Sequence, residues 1–529
     1  MGEAVPRRVR WMAAIYAVHR WCGLVTGWLL FAICLTGTLV VFKYPLKVWA
    51  NPALVSVPAA DHYGPDRALA AFRAAWPQAP VRLLAFPADD YSIHQYSFAV
   101  RQPSGAEVRA WLNPATGELA ARLPSDFADF VQRLHAGLFM GRTGRWIVGA
   151  LGVLMAVSLV SGVLFHWRRL GRDLFALRLA GDVRRAWSDV HKLSGVWLLV
   201  FHLLIALTGA WLGLETLLRA PGPAPLTRLG AGHAEPASIA RLTAAARAAH
   251  ADLTPTHVNF AAFGAAGSSV RVQGRLPGGA LVQHGQTMVV LDAVEAVPLA
   301  VVDRRREGWG VRLLAMMRPL HYGYFGGVWS GALYLLFGLA STALVWSGLA
   351  VWAERDRRQR HRGAPPPRGS AMERANVAVI GGLMLVLTAF ALATALAQVP
   401  AAAGWFAMVG GFAFAGSHDL LAGRALAPEL GLFFAAWLGV GAALGAAPVR
   451  SAWRWTLRLL ATGLALLPLA SALAAGGVLA DWRRGAGEAA GVAVVALLLA
   501  VACLAALRRQ SSAPGRTALS LSPTTRTPR

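Results

Sequence analysis

Six histidines stand in or beside strongly apolar stretches of this sequence, and four of them recur in matched surroundings. His19 opens His19-Arg20-Trp21-Cys22-Gly23, with Thr36-Gly37 further on; His191 opens His191-Lys192-Leu193-Ser194-Gly195, with Thr208-Gly209 at the same offset. His135 lies in Leu134-His135-Ala136-Gly137-Leu138-Phe139-Met140-Gly141, and His321 in Leu320-His321-Tyr322-Gly323-Tyr324-Phe325-Gly326-Gly327. Each of these is followed at equal distance by Ser-Gly, at Ser161-Gly162 and Ser347-Gly348. The remaining two are His166 and His202, the latter eleven residues after His191. Eleven steps of about 100° return to nearly the same helix face, roughly 16 Å along the axis.

An imidazole inside a membrane span is costly to bury and marks function by default. Neutral imidazole is a ligand for haem iron, and two histidines from neighbouring helices complete an axial pair that leaves the iron free to cycle between Fe(II) and Fe(III). Two levels of histidine therefore point to two haems of the b type. His19, His135, His191 and His321 are the candidate axial ligands, and His166 and His202 are further cofactor contacts; which histidines share which haem stays open. The bland reading of any one of them is a headgroup anchor or a tight turn at a helix start. Packing alone gives no reason for histidine at four matched helix ends plus one buried three turns from another.

These side chains need long apolar helices to hold them. The chain has 529 residues and is 56% hydrophobic, and it contains several apolar runs of about 20 residues, the length that crosses a bilayer. The first four spans fall at about 20–42, 146–167, 191–215 and 327–352. The formal charge of +25 comes largely from arginines in short segments beside these spans, such as Arg7 to Arg10, Arg168 to Arg185 and Arg355 to Arg368. That is the positive-inside pattern and not a nucleic-acid footprint. It sets the N-terminus in the cytoplasm and the polar stretches outside, in the periplasm of a bacterial inner-membrane protein. His19 and His191 then lie at the cytoplasmic end, and His135 and His321 at the external end. The first span follows a basic N-terminus but lacks a small-residue cleavage site, so it reads as an uncleaved anchor.

The two polar stretches have the same order of elements. In the first, a helix near Pro65 to Trp76 precedes strands near Val81–Phe86, Tyr96–Arg101 and Val108–Leu112 and the turn Asn113-Pro114-Ala115-Thr116-Gly117. In the second, a helix near Ala237 to Ala249 precedes strands near His257–Phe263, Ser269–Gln273 and Thr287–Leu291. The fold class is thus a polytopic α-helical membrane protein with two small periplasmic α+β modules, built by internal duplication of a helix–module–helix unit. The segments are 1–44 (N-terminus and first span), 45–133 (first module), 134–215 (second and third spans), 216–315 (second module) and 316–353 (fourth span). A basic, Pro-rich linker at 354–375 leads to a C-terminal membrane block at 376–508 and a tail at 509–529. Spans in that block fall near 376–398, 428–447, 455–476 and 487–507, giving about eight transmembrane helices, or nine if Trp405 to His418 is counted.

Other chemistries find no support. Cys22, Cys34 and Cys503 lie in or beside apolar runs and are not spaced for a metal knuckle or a disulfide framework. No Gly-rich nucleotide loop, HExxH or nucleophile constellation is present, so a separate electron donor is implied. His62, His94, His233, His250, His257, His284, His361 and His418 read as solvated or structural. Gly149, Gly152, Gly195 and Gly331 allow either close helix contact or room for a flat macrocycle.

The histidine-headed spans, the Thr-Gly and Ser-Gly endings and the run Trp111-Leu112-Asn113-Pro114-Ala115-Thr116-Gly117-Glu118 resemble the PepSY-associated transmembrane family over roughly residues 10–355. Its iron-regulated members are haem-containing ferric-siderophore reductases with two periplasmic PepSY modules. The resemblance implies a membrane oxidoreductase with haem ligands at His19, His135, His191 and His321, a ferric-siderophore acceptor and a quinol or cytoplasmic reductase as donor. The chain departs from the simplest members in its C-terminal block and in Asp292-Ala293-Val294-Glu295, which replaces the Asn-Pro-x-Thr-Gly turn of the second module. Competing readings are non-redox transport of an iron chelate or haem, and a PepSY-based regulatory or scaffold protein.

Overall fold

The computed structural model describes residues 7–512 except 52–53, 55–62, 78, 88–92, 102–106, 121–126, 170, 172–174, 179–181, 219–231, 279–280, 282–286, 361–367, 400–427 and 475–486. Among the described residues, seven helices are long and apolar enough to cross a membrane, and Leu430–Ala446 is a shorter apolar helix. The chain is therefore a multi-pass membrane protein with a sheet domain set between its helices. Trp405 to His418 lies outside the described residues, as do the Pro-rich run 364–367 and His62, His284, His361 and His418.

The chain begins with α1 (Arg7–Val40), and α2 (Lys43–Ala50) follows almost directly. Then come α3 (Pro65–Ala75), strands β1 (Val81–Ala85), β2 (Tyr96–Arg101), β3 (Glu107–Leu112) and β4 (Leu119–Ala120), and helices α4 (Phe127–Gly137) and α5 (Gly141–His166). The next pair, α6 (Val183–Trp197) and α7 (Leu199–Leu218), is broken at Leu198, whose ψ of 20° interrupts the helix. Only α7 is apolar enough to span; α6 carries the buried Asp189 on an amphipathic helix, which is why the third span starts later than the expected 191. After α8 (Ile239–Ala249), β5 (Thr254–Phe260), β6 (Ser269–Arg275), β7 (Thr287–Asp292) and β8 (Pro298–Val302), the chain returns through α9 (Trp309–Tyr322) to α10 (Gly327–Arg360).

The two α+β stretches join into one antiparallel sheet of order β4-β3-β2-β1-β5-β6-β7-β8. The joint pairs Leu84 with Val258 and Ala85 with His257. One register row, Ala110–Phe98–Leu84–Val258–Val272–Val289, crosses six strands and is buried throughout. Alternation puts the neighbours of these residues on the opposite face, and α3 and α8 cover the buried one, so both stretches share a single core. Asp66 of α3 accepts hydrogen bonds from the backbone N–H groups of Ile239 and Ala240, capping α8 from the other stretch. β4 and β8 are edge strands that carry little apolar pattern: one has two residues and the other is largely exposed.

In the membrane part, α1 packs on α5 and α10, α5 on α7, and α6 on α10. Gly149 and Gly152 serve close helix contact, since a Cβ on Gly152 would meet the Ala206 carbonyl at 2.8 Å and one on Gly149 would meet Leu214 at 2.8 Å. Neither makes room for a macrocycle. Beyond α10, α11 (Ala371–Leu396) starts at a capping box on Ser370 and Glu373 and contains a π turn over Val377–Gly381. Just before that turn the buried Asn376 accepts from Trp28 Nε1 at 3.0 Å, tying the C-terminal helices to α1. Phe127, Phe130, Phe390 and Phe433 continue this contact as an aromatic cluster.

Candidate functional site: two histidine pairs

The four matched histidines share one local design. His19 Nδ1 donates to the Ser158 carbonyl at 2.8 Å, His135 Nδ1 to Ile33 at 2.9 Å and His191 Nδ1 to Leu344 at 2.9 Å; His321 bonds the carbonyl of Ile205. In every case the accepting residue lies four positions before the glycine of a Ser-Gly or Thr-Gly dipeptide. The glycine gives the ring its seat. A Cβ on Gly37 would lie 2.7 Å from His135 Cε1, and one on Gly162, Gly209 or Gly348 would lie 3.0 Å from the Cε1 of His19, His321 or His191. The hydroxyl before the glycine turns to the same carbonyl: Thr36 to Ile33 at 3.3 Å, Ser161 to Ser158 at 3.0 Å, Thr208 to Ile205 at 3.4 Å and Ser347 to Leu344 at 2.9 Å.

These contacts are reciprocal between helices. His19 on α1 sits on α5, and His135, at the approach to α5, sits on α1. His191 on α6 sits on α10, and His321, at the approach to α10, sits on α7. The approach segments turn sharply: α9 ends on Gly323 at φ 73°, whereas α4 ends in Leu138 and Phe139 at φ 50° and 58°. Left-handed backbone at non-glycine residues costs about 1–2 kcal/mol each, and Phe139 offsets it by burying its ring against Phe130. Strain held this close to His135 fits a site whose geometry is imposed by its surroundings.

The histidines meet in two pairs. The ring centres of His19 and His191 are 6.1 Å apart at an interplanar angle of 62°, and those of His135 and His321 are 6.1 Å apart at 27°. A carbonyl can only accept, and the Thr208 hydroxyl, 3.0 Å from His321 Nδ1, donates its own proton to the Leu204 carbonyl at 2.6 Å, so each Nδ1 carries the proton and a neutral ring keeps its lone pair on Nε2. Two imidazoles each bonded to one metal ion at about 2.0–2.1 Å have ring centres roughly 6 Å apart. Among the described residues no group of three or more His, Cys, Asp or Glu side chains could hold a metal ion. Each pair offers two imidazole nitrogens that could hold one metal ion between them.

His202 is fully buried, and among the described residues neither of its ring nitrogens has a hydrogen-bond partner. Leaving a buried polar group unsatisfied costs about 1–3 kcal/mol. His166, at the end of α5, shares the neighbourhood of His191 with His19 and His202. Beside this group Asp189 accepts from Arg178 at 2.8 Å and contacts Lys192 at 3.0 Å, and those bonds hold its carboxyl well below the usual range. At the other pair, Asp129 of α4 contacts Lys43 at 3.0 Å and also Lys47; burial works against its charge, but the two lysines keep the carboxyl well below the usual range.

Among the other histidines, His250 bonds Asp303 at 3.2 Å, His257 bonds the Thr256 hydroxyl at 2.9 Å and His233 lies 3.6 Å from Glu235. The Ser-Gly and Thr-Gly offsets are visible in the sequence, but not that each dipeptide seats the histidine of another helix. A turn at Asp292 follows β7 and keeps the form of the one after β3. Asp292 Oδ1 accepts from Val294 and Glu295 N–H at 2.9 Å, and Ala296 takes a φ of 58°, the places held after β3 by Asn113 and Gly117.

Residues 16–355 match the family described as the PepSY-associated TM region. The chain is also similar to an uncharacterized protein of Pseudomonas aeruginosa, 29% identical over 303 residues that cover 52% of this chain and 74% of that protein.

Proposed function

The chain belongs to the PepSY-associated TM region family, and on that premise we propose that it is a haem-containing oxidoreductase of the bacterial inner membrane that carries electrons to ferric iron held in a siderophore. The observation that carries this reading is the two imidazole pairs, each 6.1 Å between ring centres, with every Nδ1 proton committed to an oxygen of another helix: a carbonyl at His19, His135 and His191, the Thr208 hydroxyl at His321. The reading takes helix, α+β stretch, histidine turn and helix as one duplicated unit. It places the arginine-rich loops in the cytoplasm and the sheet, with its two PepSY-like halves, in the periplasm.

On α1, His19 and the His135 seat at Gly37 are 18 residues apart, about 27 Å at 1.5 Å per residue. That nearly equals the thickness of the hydrocarbon core. One site cannot serve both faces, and two can. Haem b bound at each pair supplies a one-electron Fe(III)/Fe(II) couple. The chain's own residues fix the tautomer and orientation of each imidazole and keep water from the core. His202, eleven residues beyond His191, lies between the two levels and contacts cofactor, which would relieve its unpartnered nitrogens; His166 supports the cytoplasmic level.

A quinol or a cytoplasmic reductase is the donor at the His19/His191 level. At the His135/His321 level each electron converts one Fe(III) of the chelate to Fe(II), whose lower charge and softer character weaken its hold on hard oxygen donors. The deciding experiment is a reduced-minus-oxidised spectrum with pyridine haemochrome quantitation on the purified chain and on His135→Ala and His191→Ala. Two b-type haems, one lost with each variant, are expected. A colourless, folded chain would remove the reading and leave transport, for which the helices from Ala371 onward, outside the family match, provide additional spans.

A further inference from the structure

Three tyrosines extend outward from the His135/His321 pair. Tyr322 follows His321 directly, its ring centre is 5.4 Å from that of Tyr324, and Tyr324 is 6.2 Å from Tyr44 at the start of α2. Tyr44 also packs against the cluster of Leu54, Ile93 and Trp111, so the aromatic chain bridges the histidine pair and the sheet domain. Among the described residues, nothing hydrogen-bonds the hydroxyls of Tyr44 and Tyr322, and all three rings are only partly buried.

The charges around these rings are mostly positive. Lys43 Nζ lies 5.8 Å from the centre of the Tyr44 ring, and Lys47, Arg109 and Asp129 are its other charged neighbours. Around Tyr322 the charged groups are Arg145, Arg318 and Glu215, with Arg318 bonded to Glu215 at 3.2 Å. Lys43 and Lys47 share the one carboxylate of Asp129, and Arg145 is exposed with no partner among the described residues, which leaves the surroundings of the rings net positive. A run of ring faces, the phenol donors of Tyr44 and Tyr322 and a net positive surrounding select for an aromatic, anionic ligand.

We infer that Tyr44, Tyr322 and Tyr324, with Lys43, Arg145 and Arg318, form the docking site for the electron acceptor, and that this acceptor is an anionic ferric chelate whose oxygen donors are carried on aromatic rings. The inference rests on the electron-transfer reading for its purpose, but the binding it describes is testable without it. Aromatic ligand rings stack on the tyrosines, the phenol hydroxyls donate to chelate oxygens, and the cations offset the ligand's charge. An aliphatic hydroxamate chelate offers neither the rings nor the charge and is the poorer ligand.

The test uses the full chain in detergent and the gallium(III) complex of 2,3-dihydroxybenzoate, which has the shape and charge of the ferric complex but is not reduced. Titration followed by tryptophan fluorescence should show binding that falls at least tenfold in Tyr44→Ala and in Tyr322→Ala and severalfold in the exposed Arg145→Glu. The gallium acetohydroxamate complex should compete poorly. Unchanged affinity in Arg145→Glu together with unchanged affinity in either folded tyrosine variant, or equal binding of the hydroxamate complex, overturns the inference. Failure of the two readings is distinguishable: a haem-loaded chain that ignores the gallium complex removes the docking site alone, and a haem-free chain that binds it removes electron transfer alone.

Discussion

His135 Nδ1 lies 2.9 Å from the carbonyl oxygen of Ile33, and the ring rests where a Cβ on Gly37 would be. A histidine on one helix is thereby aimed by the backbone of another, which ties the direction of the imidazole to the packing of α1 against α4.

Gly37→Val should displace the His135 ring while leaving α1 intact, because Val retains helical backbone and adds bulk only at the seat. Pyridine haemochrome should fall to about half of the wild-type content, with the His19/His191 component retained. Full haem content in a folded variant would show that the seat does not position a ligand.

Thr208→Val removes the hydroxyl 3.0 Å from His321 Nδ1 and keeps the side-chain volume. Weaker hydrogen bonding at Nδ1 makes the imidazole a poorer electron donor and disfavours Fe(III). A spectroelectrochemical titration should show one midpoint potential rising, on the order of tens of millivolts, while the other stays put. Two unchanged potentials would separate this hydroxyl from the cofactor.

Asp303 gives the sheet domain an acid limit. Burial raises its pKa, but hydrogen bonds from Arg305 and His250 outweigh that and bring it from the ordinary 3.8 down to about 2. A carboxylate with a depressed folded-state pKa adds stability above its unfolded value and loses it as pH falls through the folded one. The contribution, roughly 2 kcal/mol, should therefore be present above pH 4 and vanish towards pH 2. Asp303→Asn should lower stability at neutral pH by about that amount and flatten the wild-type decline over this window, read as urea midpoints by circular dichroism.

Ala296→Gly should stabilise the turn after β7, since glycine has no penalty at the observed φ of 58°. A gain of about 1 kcal/mol is expected, partly reduced by the larger unfolded-state freedom of glycine. Gly117→Ala at the corresponding place after β3, where φ is 74° and a Cβ would collide with the Tyr63 ring, should destabilise instead. Thermal unfolding of both variants gives the comparison, and shifts of the same sign would contradict it.

The sequence by itself determined that this is a polytopic membrane protein, since runs such as Gly141–His166 are too long and too apolar to lie anywhere else. It also determined the helix-then-strands order of the α+β stretches, because alternation along segments such as Ser269–Arg275 is a local property of the chain. Four histidines at matched offsets were legible for the same reason. Only the tertiary structure decided how these pieces meet. The pairing of β1 with β5 fuses two apparent modules into one sheet, and no local pattern announces it, since either edge strand could equally have faced solvent. The pairing of His19 with His191 and of His135 with His321 joins residues 172 and 186 apart in the chain, and the bonds that seat the rings of His19, His135 and His191 on another helix span 102 to 153 residues. Periodicity reports which face of a helix is apolar; which helix covers that face is fixed by packing.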